Sequence, residues 1–169
     1  IRESNKTKEV KCSFGVSPCA RWAPNETCTS FERGAEGGMS NDCNNYYAYS
    51  DLFADTRKWA LEEWIDYIVP QCYTNLDKGY ADIVSWWSKT LKGSNTKLYI
   101  GQGIYRVSRE GNWSNSDEIP NQLLYNQTVE NVMGTVFFTF KTFLESNEAL
   151  DETKVKLKKM WTKEVPDEE

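Results

Sequence analysis

The chain has 169 residues, enough for one domain with a real core, and its 25 acidic and 20 basic residues give a formal net charge of −5. The two signs are mixed along most of the chain, which argues against the clustered basic face of a nucleic-acid binder, and no apolar run reaches the length of a membrane span. With no histidine, the sequence excludes Ser-His-Asp and Cys-His nucleophile pairs and every histidine-containing zinc site.

The first strand-like run covers residues 10–17 (VKCSFGVS), where Cys12, Phe14 and Val16 alternate with Lys11, Ser13 and Gly15. A long stretch, 18–48, follows. It contains Gly34, Gly37 and Gly38 and reads either as a ligand-building loop or as a surface excursion. Residues 49–63 form a helical pattern with Leu52, Phe53, Trp59 and Ala60 on one side. The second apolar run is 65–73 (IDYIVPQCY). A helix over 81–92 then turns Ile83, Val84, Trp87 and Leu91 to one face. The third run, 97–101 (KLYIG), leads into a second long connection, 102–116. A third helix starts at Asp117, with Asp117 or Ser116 as cap and Pro120 in the first turn, and it carries Ile119, Leu123 and Leu124 inward. The fourth run is 134–140 (GTVFFTF). The last helix, 148–160, offers Leu150, Val155, Leu157 and Met160 to the core and presents Lys154, Lys156, Lys158 and Lys159 to solvent. An acidic tail, 162–169, closes the chain.

Strands alternating with helices imply right-handed crossovers and a parallel sheet, so the fold class is α/β. Both long connections follow a strand, and the carboxyl end of the sheet is where such folds build ligand sites. The five cysteines, Cys12, Cys19, Cys28, Cys43 and Cys72, contain no C-x-x-C pair, which argues against a zinc ribbon or a redox motif. Cys19, Cys28 and Cys43 share the first long loop. Cys28 and Cys43 are a candidate disulfide there, although spacing alone settles no pairing. No metal site and no cofactor is implied. Asn-x-Ser/Thr sites occur at Asn5, Asn25, Asn112 and Asn126, and they matter only in an organism that glycosylates secreted proteins. Aromatic residues make up 14% of the chain, a content that serves core packing or the stacking of rings on sugar faces.

Several segments carry a family resemblance in a consistent order: FGVSPCARW (14–22), YSDLFADTRKW (49–59), WIDYIVPQCY (64–73), LYIGQGIYRV (98–107), EIPNQLLYN (118–126), GTVFFTFKTF (134–143) and LKKMW (157–161). Together they resemble the glycosyl hydrolase-like 10 family over about residues 10–161. The resemblance implies half of a (β/α)8 TIM-type barrel, strands five to eight with their helices, with residues 1–9 ending the helix before strand five. The whole of 1–169 is then a single partial domain, and the first residue, Ile1, fits a start inside a longer protein. It also implies a secreted or cell-surface bacterial protein with a role in hydrolysing glycosidic bonds of cell-wall or other polysaccharides. Two departures from the family pattern, Ala23-Pro24 after Trp22 and Thr74 after Tyr73, bear on substrate specificity rather than fold.

In such a barrel the chemistry gathers at the carboxyl ends of the strands. Those ends supply Ser17 and Trp22, Gln71 and Tyr73, Gln102 and Tyr105, then Thr139 and Lys141. Amides, hydroxyls, a lysine and aromatic rings suit sugar hydroxyls and pyranose faces, so Ser17, Trp22, Gln71, Tyr73, Gln102, Tyr105 and Lys141 are the expected substrate contacts. Glycoside hydrolysis normally needs two carboxyl groups flanking the bond. None stands convincingly at a strand end here. Asp66 starts its strand and should face the opposite end, Asp55 and Arg57 suit an ion pair, and Glu118 suits the positive end of a helix. Asp51 lies nearest the first long loop. The catalytic groups are therefore unknown, and the resemblance implies that the family's acidic cluster is carried at the end of strand four, in the expected first half-barrel. The expected partners are a polysaccharide or peptidoglycan glycan and that missing amino-terminal half-barrel. Two further readings stand beside hydrolysis: a non-catalytic carbohydrate-binding module, and a half-barrel that assembles with a partner chain because its sheet leaves unpaired edges.

Overall fold

The computed structural model describes residues 2–25, 36–39, 45–107 and 111–162. The candidate pair Cys28 and Cys43, most of the first long loop and residues 163–169 of the tail lie outside the described residues.

Four strands, β1 (Gly15–Val16), β2 (Tyr67–Ile68), β3 (Lys97–Gln102) and β4 (Val132–Phe137), form one parallel sheet in chain order. The first two are much shorter than the apolar runs that contain them. Pro18 and Pro70 have no N–H to give to a ladder, so regular pairing stops before each. The strands still run side by side beyond that point. Gln71 N–H donates to Pro18 O at 3.0 Å, Cys72 N–H donates to Gly101 O at 2.9 Å, and Gln71 bridges both Cys19 and Gly101.

The register sets the two faces. Ile68, Leu98 and Ile100 point outward and are essentially fully buried under helices, while Tyr67, Val69, Tyr99 and Val136 line the inner side. The helices are α1 (Arg2–Asn5), α2 (Ala48–Leu52), α3 (Thr56–Leu61), α4 (Tyr80–Thr90), α5 (Glu118–Thr128), α6 (Phe140–Leu144) and α7 (Glu148–Trp161). Against the outer face, α3 and α4 contribute Ala60, Ile83, Val84 and Trp87 to the main core, and the Trp87 indole N–H donates to Ala20 O at 2.8 Å. A second cluster joins Ile104, Val107 and Trp113 of the 102–116 connection to Ile119 and Leu123 of α5 and Leu150 and Leu157 of α7.

Three expectations about elements are corrected. The single helix over 49–63 is two helices. Phe53 turns the chain with a left-handed φ of 54°, and Asp55 restarts it by accepting from Lys58 N–H at 3.1 Å. The stripe running through Leu52 and Phe53 is therefore broken, and Phe53 is 91% exposed. The fourth strand ends at Phe137, and Phe140 opens α6. An unbroken apolar run has no period to mark where strand becomes helix. Leu124 and Val155 are exposed, because α5 and α7 bury only narrow stripes. Caps also differ from expectation. Neither Asp117 nor Ser116 caps α5 with its side chain; the Asp117 carboxylate pairs with Lys156 at 2.6 Å and the Ser116 hydroxyl donates to Glu152 at 2.7 Å, tying α5 to α7.

The inner face remains open as a concavity of about 670 Å³. Gly15 belongs there, since a Cβ at that position would run into the Tyr67 ring. Among the described residues β1 and β4 each pair on one side only. A parallel sheet with helices on one face and a hollow on the other is half of a (β/α)8 barrel.

Candidate functional site

At the carboxyl end of the sheet a cleft of about 410 Å³ is lined by Ser17, Val69, Gln71, Tyr73, Gly101, Val136, Phe137 and Phe138. Its polar floor is held in place by the strands themselves. The Ser17 hydroxyl donates to Val69 O at 2.9 Å, and the Gln71 side-chain amide donates to Ser17 O at 2.7 Å. These two bonds fix one hydroxyl and one amide across the β1–β2 seam.

Three rings gather above this floor. Tyr73 lies 5.7 Å from Tyr105 in an edge-to-face arrangement and 5.9 Å from Phe138 in a stacked one, and Tyr105 meets Phe138 edge-on at 5.8 Å. Each ring follows a different strand. The backbone holds them together: Phe138 N–H donates to Gln102 O at 2.9 Å and Tyr105 N–H to Phe138 O at 3.3 Å. Gly103 allows the approach, since a Cβ on it would sit 3.2 Å from both Tyr73 and Tyr105. Burial pushes the Tyr73 phenol up to about 12, with help from the neighbouring Tyr105 and Cys72. At neutral pH it is a hydrogen-bonding group and a stacking face, not a base.

The cleft lining thus includes three of the expected contacts, Ser17, Gln71 and Tyr73, and Tyr105 packs against Tyr73 beside it. The other three stand elsewhere. Trp22 is 4% exposed, with its ring against Tyr49 and Trp86, the Arg57 guanidinium 5.0 Å above it, and its indole N–H donating to Asp55 at 3.0 Å. It pins the returning end of the first long loop, where Ala48 N–H donates to Arg21 O and Tyr49 N–H to Trp22 O. Gln102 is fully buried and faces outward into the helix layer, since it occupies the same side of β3 as Leu98 and Ile100. Lys141 sits on α6, well exposed and 3.7 Å from Glu145. Phe138 is the ring that sequence reasoning passed over. It lay inside an apolar run, and only the end of β4 at Phe137 marks it as a strand-end residue.

No carboxylate lines this cleft among the described residues. Asp66 and Glu63 line the inner hollow toward the opposite end, where Asp66 accepts from Phe14 N–H at 2.6 Å and Glu63 from Asn95. Asp51 reaches back to Tyr47 N–H at 2.7 Å. Asp55 is a helix cap and a Trp22 acceptor rather than the ion-pair partner of Arg57. Glu118 is buried within the helix layer. No group of three metal-ligating side chains exists among the described residues, and no helix among them is long and apolar enough to cross a membrane.

A parallel α/β half-barrel with a neutral, ring-lined cleft at the strand ends defines a protein of the (β/α)-barrel class. More narrowly, the chain belongs to the glycosyl hydrolase-like 10 family, whose pattern it matches over residues 2–117. It is 32% identical over 146 residues to glycosyl hydrolase YngK of Bacillus subtilis (strain 168), covering 83% of this chain and 27% of that protein. It is 30% identical over 147 residues to glycosyl hydrolase DigH of Escherichia coli (strain K12), covering 80% of this chain and 31% of the relative. The chain therefore spans about a third or less of the length of these relatives.

Proposed function

We propose that this chain forms one wall of a glycan-cleaving barrel. In this reading the ring-lined cleft binds sugar units of a cell-wall glycan such as peptidoglycan, or of another polysaccharide, outside the cytoplasm. The carboxylates that would cleave the bond come from a separate half-barrel. One observation carries the proposal: Tyr73 and Phe138 line a cleft beside a fixed hydroxyl and amide, Tyr105 packs edge-on against both rings, and among the described residues no acidic side chain lines the cleft. Flat apolar rings suit the C–H faces of pyranoses, and the Ser17–Gln71 floor suits their hydroxyls. Kinship with proteins named glycosyl hydrolases supports the hydrolytic context.

The neutral cleft equally favours a second reading, a carbohydrate-binding module that holds glycan without cutting it. One experiment addresses both. The chain is titrated with N-acetylglucosamine oligomers and with peptide-stripped peptidoglycan strands, and the mixtures are analysed for new reducing ends. We expect binding in the weak regime of about 0.1–1 mM, because an open wall encloses only part of its ligand, with no products. Turnover by the chain alone overturns the separation of wall from catalyst. Absence of binding to every glycan overturns the cleft as a sugar site. If the relatives' activity appears when a complementary half-barrel is added, the hydrolytic reading prevails over the binding module.

A further inference from the structure

The ring platform rests on a polar chain that runs through the helix layer behind it. Glu118, in the first turn of α5 and 8% exposed, accepts through Oε1 from Leu76 N–H at 2.8 Å and from the Gln122 side-chain amide at 2.7 Å. Gln122, one turn later and fully buried, also donates to Thr74 O at 3.0 Å. Through its own oxygen it accepts from the Gln102 amide at 3.2 Å. Gln102 amide nitrogen lies 3.3 Å from the Tyr80 hydroxyl, which donates to Asn126 at 3.0 Å, and the Asn126 amide donates to Thr135 at 3.1 Å.

Two of these bonds grip backbone rather than side chain. Thr74 and Leu76 bracket the turn that follows Tyr73, so α5 holds the segment carrying one ring of the platform. The same Gln102 whose amide meets Gln122 offers its backbone oxygen to Phe138 N–H, which fixes a second ring. Helix α5 packs on the outside of the sheet and contributes nothing to the cleft lining.

We infer that Glu118 and Gln122 are positioning residues for the sugar platform, setting the place of Tyr73 against Tyr105 and Phe138 from behind the sheet. The inference rests on the glycan-binding reading for its functional consequence, and on hydrogen bonds alone for its structural content. The physical reason is preorganisation: a ring locked before binding loses little freedom on binding, whereas a loose one must be ordered by the sugar. A carboxylate suits the task because it can accept two donors on one oxygen, and a charged acceptor makes a stronger bond than a neutral one.

The test uses the whole chain and two independent readouts. The first is amide exchange at Leu76 together with the NMR shifts of the Tyr73 ring, which needs no glycan. The second is affinity for N-acetylglucosamine oligomers. Glu118→Ala is expected to accelerate Leu76 exchange, move the Tyr73 ring signals toward those of an unstacked tyrosine, and weaken glycan binding by about tenfold, the scale of one lost charge-assisted bond. Glu118→Gln keeps an acceptor oxygen and is expected to restore all three to within about threefold. If Glu118→Ala does not fold, Leu76→Pro removes the donor directly; the preceding Asn75 is already extended (φ −83°, ψ 163°), as a residue before proline must be. Unchanged Tyr73 ring signals in Glu118→Ala or in Leu76→Pro overturn the positioning role. Altered ring signals with unchanged glycan affinity overturn its functional part. Failure of the unmodified chain to bind glycan, with the ring signals still responding to Glu118, overturns the sugar reading while leaving the mechanical link between α5 and Tyr73 in place.

Discussion

Tyr73 is the residue on which the platform turns, and its phenol offers a direct physical signature. Burial favours the neutral form, so its pKa rises from the ordinary 10 to about 12. Because the folded value lies above the unfolded one, the associated stability is intact below pH 10 and is lost as pH rises through 12. In an alkaline titration followed by tyrosinate absorbance, we expect a late component near pH 12 that disappears in Tyr73→Phe. Its persistence in that variant would assign the late transition to another buried phenol, such as Tyr80, which burial also raises well above the ordinary range. Cys72 behaves alike: enclosed in the core, its thiol is pushed up and stays protonated. Asn126, despite its Asn-x-Thr context, is closed to glycosylation in the folded chain, since both ends of its amide are buried and bonded to Tyr80 and Thr135.

At the scale of elements, α7 shows how a helix end is secured. Asn147 sits in extended backbone just before it and accepts from Leu150 N–H at 3.0 Å, while Lys156 ties its side to Asp117 and Lys154 pairs with Asp151 one turn earlier on the same helix. Two of the four lysines expected to be a solvated face are thus engaged, and Lys158 and Lys159 remain exposed. Replacing Asn147 by Ala removes one cap and is expected to cost about 1 kcal/mol, measured by urea unfolding. A null effect would mean that the Leu157 and Leu150 contacts alone hold the helix. The pair α2 and α3 shows a different arrangement. Phe53, in a left-handed conformation and almost fully exposed, breaks what the periodicity presents as one helix, and Trp22 then uses the freed Asp55 as its acceptor.

For the whole molecule, the decisive feature is the open inner face. Val136 is 47% exposed and Phe138 is 54% exposed, and the β1 and β4 edges lack second partners among the described residues. Parallel sheets are normally covered on both faces, and bare strand edges invite pairing. We therefore expect the isolated chain to self-associate with rising concentration or to bind a complementary half-barrel, read as a mass above 19.5 kDa in sedimentation equilibrium. A monodisperse monomer across the accessible concentration range would contradict this and favour a self-sufficient binding module.

The order of strands and helices, the parallel sheet and the family were all legible in the sequence, because apolar periodicity and motif order are local properties. The positions of Ser17, Gln71, Tyr73 and Tyr105 near strand ends followed from the same local reasoning. What local pattern cannot contain is the direction of a side chain once pairing is set. Gln102 falls on the helix side and Trp22 into the core only because of register and of the Ala48 and Tyr49 backbone bonding to Arg21 and Trp22. Phe138 and the service of Glu118 behind the platform were equally invisible, since each depends on residues dozens of positions away meeting through backbone hydrogen bonds. Sequence sets which segments bury themselves; the long-range pairing between strands decides which face each residue gives to the cleft.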